Sequence, residues 1–142
     1  MKNSIGNIQF LLGTEGIKKA YEMTLKAEKL DIVCLSQEYD KIIGVYFDKD
    51  YAPRLFGGSI KTREILPDTE GNRRDSESKE KTKNQVRFLN NLEPSESDYM
   101  LFGNTAILVS YNQDMPFALV IEDREIVSSL KSQFNGLWEG LR

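Results

Sequence analysis

Residues 95–113 read SESDYMLFGNTAILVSYNQ. Two short apolar runs, DYMLF and TAILVSY, flank the pair Gly103-Asn104, which is a tight-turn signal between antiparallel strands. A third run, FALVI (117–121), follows the turn residues NQDMP. Three short strands joined by turns predict an antiparallel meander, and the rest of the chain is read around it.

Downstream, EDREIVSSLKSQFNGLW (122–138) sets Ile126, Leu130, Phe134, Leu137 and Trp138 on one face, with Asp123 as the cap. This is a helix built to dock on a sheet. Upstream, VRFL (86–89) reads as a strand. Before it, residues 68–85 contain no strongly apolar side chain, so the stretch predicts a flexible polar insertion or lid with nothing to give a core. IKTREIL (60–66) alternates as a half-exposed strand ending at Pro67, and LFGGS (55–59) as a turn. Residues 39–51 suit a helix that stops before Pro53. LDIVCLS (30–36) is a buried strand, and residues 14–28 an amphipathic helix capped by Thr14. The order predicts an α/β or α+β fold over residues 1–142, a single domain with a mixed sheet flanked by helices.

Composition removes whole classes of chemistry. The 142 residues contain no histidine. Ser-His-Asp and Cys-His sites and histidine-ligated zinc are therefore excluded within them. The one cysteine, Cys34, sits in an apolar run with no histidine to activate it, and reads as a small buried hydrophobe. It leaves no partner for an internal disulfide, and no apolar run approaches a membrane span; both fit a cytoplasmic protein. Residues 1–13, MKNSIGNIQFLLG, lack a signal-peptide core. The net charge of -3 gives no electrostatic reason to expect strong nucleic-acid binding by this chain alone, because neutralising phosphates requires clustered Lys and Arg. No cofactor and no metal is expected.

Two constellations carry candidate chemistry. Pro67-Asp68 followed by Glu77-Ser78-Lys79 has the spacing of a PD…ExK nuclease, in which two carboxylates hold Mg²⁺ and a lysine activates water. Glu77 and Lys79 fall in the polar stretch rather than on a core strand, which argues against it, but a metal-dependent nuclease or hydrolase using Asp68, Glu77 and Lys79 stays as the alternative reading. Glu93, Glu96 and Asp98 form an acidic cluster that reads as a solvated loop. Lys61 and Arg63, two apart, share a strand face, and Arg87 lies on another strand. Adjoining strands would make of them a small cationic pocket for a polar or anionic ligand.

Four stretches, GTEGIKKAYEMTLK, YAPRLFGGSIKTREILPD, SESDYMLFGNTAILVSYN and ALVIEDREIVSSLKSQFNGLW, carry a resemblance to the phospholipase-D-like effector domain of TrmB-type transcriptional regulators. Active members of that superfamily carry H-x-K-x4-D and then G-S-x-N. Laid on this chain, the pattern puts Ser97, Tyr99 and Asn104 at the His, Lys and Asp positions, with Val109-Ser110-Tyr111-Asn112 over G-S-x-N. The resemblance implies a catalytically degenerate, noncatalytic sensor. It would bind a small molecule, a sugar or a phosphorylated metabolite, and form a homodimer. Ser110 and Asn112 of the vestigial site would join Lys61, Arg63 and Arg87 as ligand-binding residues. The residues ahead of Thr14 are too few for a helix-turn-helix reader, so DNA contact is expected only through such a domain outside this chain. Phe134, Leu137 and Trp138 are the expected pairing surface, together with the meander.

Overall fold

The computed structural model describes residues 7–90, 93 and 95–142; the first six residues of the N-terminal stretch read above lie outside them. In chain order the elements are β1 (Ile8–Leu12), α1 (Gly13–Thr24), β2 (Lys29–Cys34), α2 (Asp40–Tyr46), a π-helical turn (Phe47–Tyr51), α3 (Ala52–Gly57), β3 (Lys61–Pro67), α4 (Glu70–Glu77), β4 (Asn84–Leu89), β5 (Ser97–Phe102), β6 (Thr105–Ser110), β7 (Phe117–Glu122) and α5 (Arg124–Glu139). The strands form one mixed sheet, ordered β1-β7-β6-β5-β2-β3-β4. β2, β3 and β4 are parallel neighbours, whereas β5, β6 and β7 are the antiparallel meander, joined to the parallel part where β5 pairs with β2. Gly103, at φ 53°, supplies the left-handed turn between β5 and β6.

Period-2 alternation sends side chains to opposite faces of the sheet. One face packs Ile32, Met100, Ile107 and Val120 against Ile17, Ala20, Tyr21, Ile43, Tyr51 and Leu55 of the helical layer from α1 to α3. The other packs Val33, Ile65, Leu101 and Ala106 against Val127, Phe134 and Trp138 of α5. The Asp123 carboxylate caps α5, accepting from the Ile126 amide at 2.8 Å.

Several sequence expectations need correction. β1 was not anticipated, because it passes straight into α1 with no turn cluster between them. Gly13 makes that junction at φ 72° and donates to the Pro116 carbonyl at 2.8 Å. Gly16 then lies against the Leu11 backbone, where a Cβ would stand 2.3 Å from the Leu11 carbonyl carbon. Thr14 is inside α1 and caps nothing; Leu12 holds the N-cap position without a side-chain bond. Pro53 does not end the second helical region, since the π-helical turn resets the ladder and Pro53 falls in the first turn of α3. β3 is not half-exposed: neighbours on both sides and layers on both faces bury Thr62 and Glu64 along with Ile65 and Leu66. Residues 68–85 do reach the interior. Thr69 caps α4, the Lys79 ammonium meets buried Glu64 at 2.5 Å, and Asn84 is buried at the start of β4.

Val127, not Ile126, faces the core from α5. Phe134 and Trp138 are 0% and 6% exposed and stack with centroids 5.8 Å apart. They complete the core of one chain and leave no spare surface for pairing. Among the described residues, the exposed large apolar side chains are Val45, Met115 and Ile126, each in a different part of the fold, and a run of three on β1, where Ile8, Phe10 and Leu12 are 49%, 63% and 66% exposed.

Candidate functional site

The C-terminal ends of parallel β2 and β3 open on the same side of the sheet, and antiparallel β5 begins there. Cys34 is therefore the register partner of Asp98, and Asp98 shares its face with Met100 and with Val109 of β6. Helices α1 to α3 and the α4 segment rise around these ends and leave a cavity of about 570 Å³. Its wall includes the rings of Tyr21, Tyr39, Phe47, Tyr51 and Phe56.

Asp98 is the polar centre of this cavity. It is 4% exposed, and its two oxygens accept from the Ser36 amide at 3.0 Å and the Ser36 hydroxyl at 2.9 Å. Burial raises its carboxyl above the ordinary aspartate range, with the Ser36 bonds pulling in the opposite direction. The Tyr21 and Tyr111 hydroxyls pair beside it. Tyr51 donates to the Thr24 hydroxyl at 2.6 Å, and Thr24 donates in turn to the Tyr21 carbonyl at 2.7 Å. Tyr21 and Tyr51 meet edge to face at 4.8 Å. Burial raises both phenols, and raises Tyr39 to about 12, so all three stay neutral hydrogen-bonding groups at physiological pH. The Cys34 thiol is likewise pushed up by burial and by nearby Asp98, away from thiolate chemistry.

Glu64 is the second buried carboxylate on this wall. Burial raises it, and the Lys79 ammonium partly counters the shift. Lys79 also lies over the Phe56 ring, 4.2 Å from its centroid. In all, five carboxylates (Asp48, Glu64, Asp75, Glu80, Asp98) and one ammonium, Lys79, line the cavity. Such a chamber suits a neutral polyhydroxy or cationic molecule, with aromatic faces for C–H or cationic groups and carboxylates for donors.

The residues singled out from sequence do not assemble into one site. Ser97 and Tyr99 flank Asp98 on a strand, so both face away from the cavity, towards the α5 side; a one-residue step reverses every side chain. Tyr111, not Ser110 or Asn112, is the buried member of its stretch. Ser110 accepts from the Asn112 amide at 3.3 Å, and Asn112 turns its own loop by accepting from Asp114 at 2.9 Å. Arg63 is held at 2.8 Å by both oxygens of Asp31 and at 2.9 Å by Asn135, over the Phe134 ring. Arg87, on edge strand β4, donates to the Trp138 carbonyl at 2.5 Å and stacks on its ring. Both arginines fasten α5 to the sheet. Lys61 is exposed at the opposite end of β3 from the cavity. Arg87 and Ser110 lie on strands with β3, β2 and β5 between them.

The PD…ExK residues are likewise dispersed in their contacts. Asp68 pairs with Arg73 at 2.5 Å, Lys79 with Glu64, and Glu77 is exposed on α4. Of the acidic trio, Glu96 accepts from the backbone amides of Gln37 and Glu38, while Asp98 turns inward. Among the described residues no group of three or more Cys, Asp or Glu side chains is gathered as for a metal ion. A sequence signal for Asp98 was present in its i+2 spacing from Met100 on a predicted strand. The position of Ser36 opposite it depended on the β2–β5 pairing, which the sequence did not state.

The fold is phospholipase-D-like. No family model matches the chain, and no curated protein does. Among solved structures, TrmBL2, described as an archaeal chromatin protein with a novel mode of DNA binding, superposes with a TM-score of 0.67 at 16% identity. That match covers 100% of this chain and 55% of TrmBL2, so the chain spans about half the length of that relative. NucT from Helicobacter pylori matches with a TM-score of 0.63 at 12% identity, over 94% of this chain and 96% of that one. Nuc from Salmonella typhimurium, a phospholipase D family member, matches with a TM-score of 0.63 at 12% identity, over 95% of each chain. No helix among the described residues is long and apolar enough to cross a membrane.

Proposed function

We propose that the chain is the noncatalytic, ligand-sensing and dimerising domain of a TrmB-type transcriptional regulator, acting in the cytoplasm. The observation that carries this reading is the Asp98 cavity: a tyrosine-walled chamber at the strand ends of a phospholipase-D-like fold, in a chain with no histidine to attack phosphorus. The full-length superposition on half of TrmBL2, a chromatin protein, supports a place beside a DNA-binding partner domain. Its carboxylates favour a neutral polyhydroxy or cationic ligand over the anionic one that the arginines suggested. A thermal-shift screen against sugars, organic amines and phosphorylated metabolites tests this, because a ligand of the folded state raises the melting temperature. A polyol or an amine should stabilise the wild type and fail with Asp98→Asn. Stabilisation by phosphorylated metabolites alone, or metal-independent hydrolysis of a generic phosphodiester that survives repurification, would overturn the reading.

Pairing uses the sheet face that α5 leaves bare. Beyond α5, Ile8, Phe10 and Leu12 continue, through their register partners Ile121, Leu119 and Phe117, as one apolar surface. A twofold contact there buries the same patch on both copies, and a stable one needs about 1,000 Å² in total. Sedimentation should give a dimer for the wild type and a folded monomer for Phe10→Ser. A wild-type monomer at low micromolar concentration would refute the pairing.

A further inference from the structure

A second concavity lies at the other end of the β2–β3 pair, on the α5 side of the sheet. It is an open depression of about 740 Å³, lined among others by Lys26, Lys29, Lys61, Lys83 and Lys131. These lysines come from the α1–β2 connection, two strands, the α4–β4 connection and α5, so no window of the sequence shows them together. Their positive charge exceeds the carboxylate around them, with Glu80 feeling the charge of Lys83 alone. Among the described residues, none of the five is in an ion pair. Lys83 is tethered instead to the neutral carbonyls of Phe56 and Gly58, and Lys131 to that of Gly103 at 2.6 Å. The carboxylates in the lining are Asp31, which Arg63 neutralises, and exposed Glu28.

Lys29 and Lys61 are direct register partners on adjacent parallel strands. Like charges placed so cost stability, and a chain of net charge -3 has ample carboxylate to have avoided it. Gln85 and Asn135 add side-chain amides to the lining, whereas the Thr82 hydroxyl is spent on Glu80 at 2.6 Å. The Asn135 carbonyl accepts from Arg63, which leaves its amide NH₂ to donate. Apolar lining is confined to Ala27, Leu101 and Phe102, so the depression has no deep pocket for the apolar anchor that a protein partner normally supplies. It also has no glycine loop or helix N-terminus to cradle one compact phosphate. Spread ammonium groups with interspersed amide donors match a chain of phosphates.

We propose that this depression binds the phosphodiester backbone of a nucleic acid, without reading its sequence. The site shares no residue with the Asp98 cavity and stands whether or not that cavity binds a small molecule.

The test is fluorescence anisotropy of a short labelled mixed-sequence duplex, titrated with the 142-residue chain across a range of salt. Binding should weaken with salt with a log–log slope of roughly −0.9 for each phosphate neutralised. Lys29→Glu with Lys61→Glu should lower affinity by about tenfold or more at low salt. The control double variant Lys19→Glu with Lys49→Glu carries the same change in net charge on exposed residues outside the depression, and should change it by less than about twofold. The neutral pair Lys29→Gln with Lys61→Gln, checked by its melting curve, should flatten the salt slope by about 1.8 and guards against misfolding of the reversal. No binding at low salt, or equal losses in the two reversed pairs, overturns the proposal. Labelled polyglutamate bound as tightly, with the same dependence on Lys29 and Lys61, would reassign the site to an acidic protein segment. Equally tight tripolyphosphate would reassign it to a compact metabolite.

Discussion

At one end of the β2–β3 pair charge is buried and partnered; at the other it is exposed and gathered with its like. Glu64 and Asp98 lose most of their water, and each is held by a specific donor, Lys79 or Ser36. Lys29 and Lys61 keep their water and have no carboxylate between them. An electrostatic feature is thus legible as structural or as functional from its partners. A satisfied buried charge belongs to the fold and shapes a chamber, whereas an unsatisfied cluster is a cost that the monomer leaves open.

The largest effect is expected of Lys79→Ala. It strands Glu64 as a lone buried carboxylate and should cost about 3–5 kcal/mol at neutral pH in urea denaturation. Burial raises the folded-state value of Glu64, so the folded chain holds that proton more tightly than the unfolded chain does. The stability this contributes is full below the ordinary glutamate range and is lost as pH rises through the folded value. The cost of Lys79→Ala should therefore shrink on acidification, as Glu64 takes up its proton. A pH-independent cost would show that Glu64 is not the group left unpaired. Asp98, raised for the same reason, should show the same sign, and Asp98→Asn should remove that contribution.

A smaller effect, about 1 kcal/mol, is expected for Tyr21→Phe, which takes one partner from the buried Tyr111 hydroxyl and leaves it Asp98. Thr69→Ala removes the cap of α4, the helix that precedes Lys79, and should cost about 1 kcal/mol. Since α4 buries no residue, its amides should exchange faster than those of α5 in the wild type. The smallest change should have the opposite sign. Lys29→Gln relieves the facing lysines and should stabilise the chain by about 0.2–1 kcal/mol in the absence of a polyanion. A loss of stability there would mean that Lys29 has a structural partner and that its charge is satisfied like those of Glu64 and Asp98.

The sequence disclosed what is local. The meander was written in its turns, α5 in its cap and apolar stripe, and the mixed sheet in the order of elements. It concealed whatever depended on which strands become neighbours. β3 alternates like an exposed strand, yet is central. Asp98 sits in an acidic run, yet turns inward because Ser36 arrives across the β2–β5 seam. Arg63 and Arg87 looked like ligand residues because a basic side chain on a strand face shows its charge, and not the Asp31 or Trp138 that consumes it. The five lysines of the depression are scattered from residue 26 to residue 131, and the net charge masked them.

The sheet places its first strand against its last: β1 pairs with β7, Ile8 opposite Ile121. Every other neighbour in the sheet is closer along the chain. The meander closes over short turns and can form early, whereas β1 has to wait for a loop that spans nearly the whole sequence, the slowest kind of contact to make. β1 should therefore be the last strand to join and the first to leave. Its amides should exchange through brief opening events well below the free energy of global unfolding, so the Phe10 surface comes and goes with the strand that carries it.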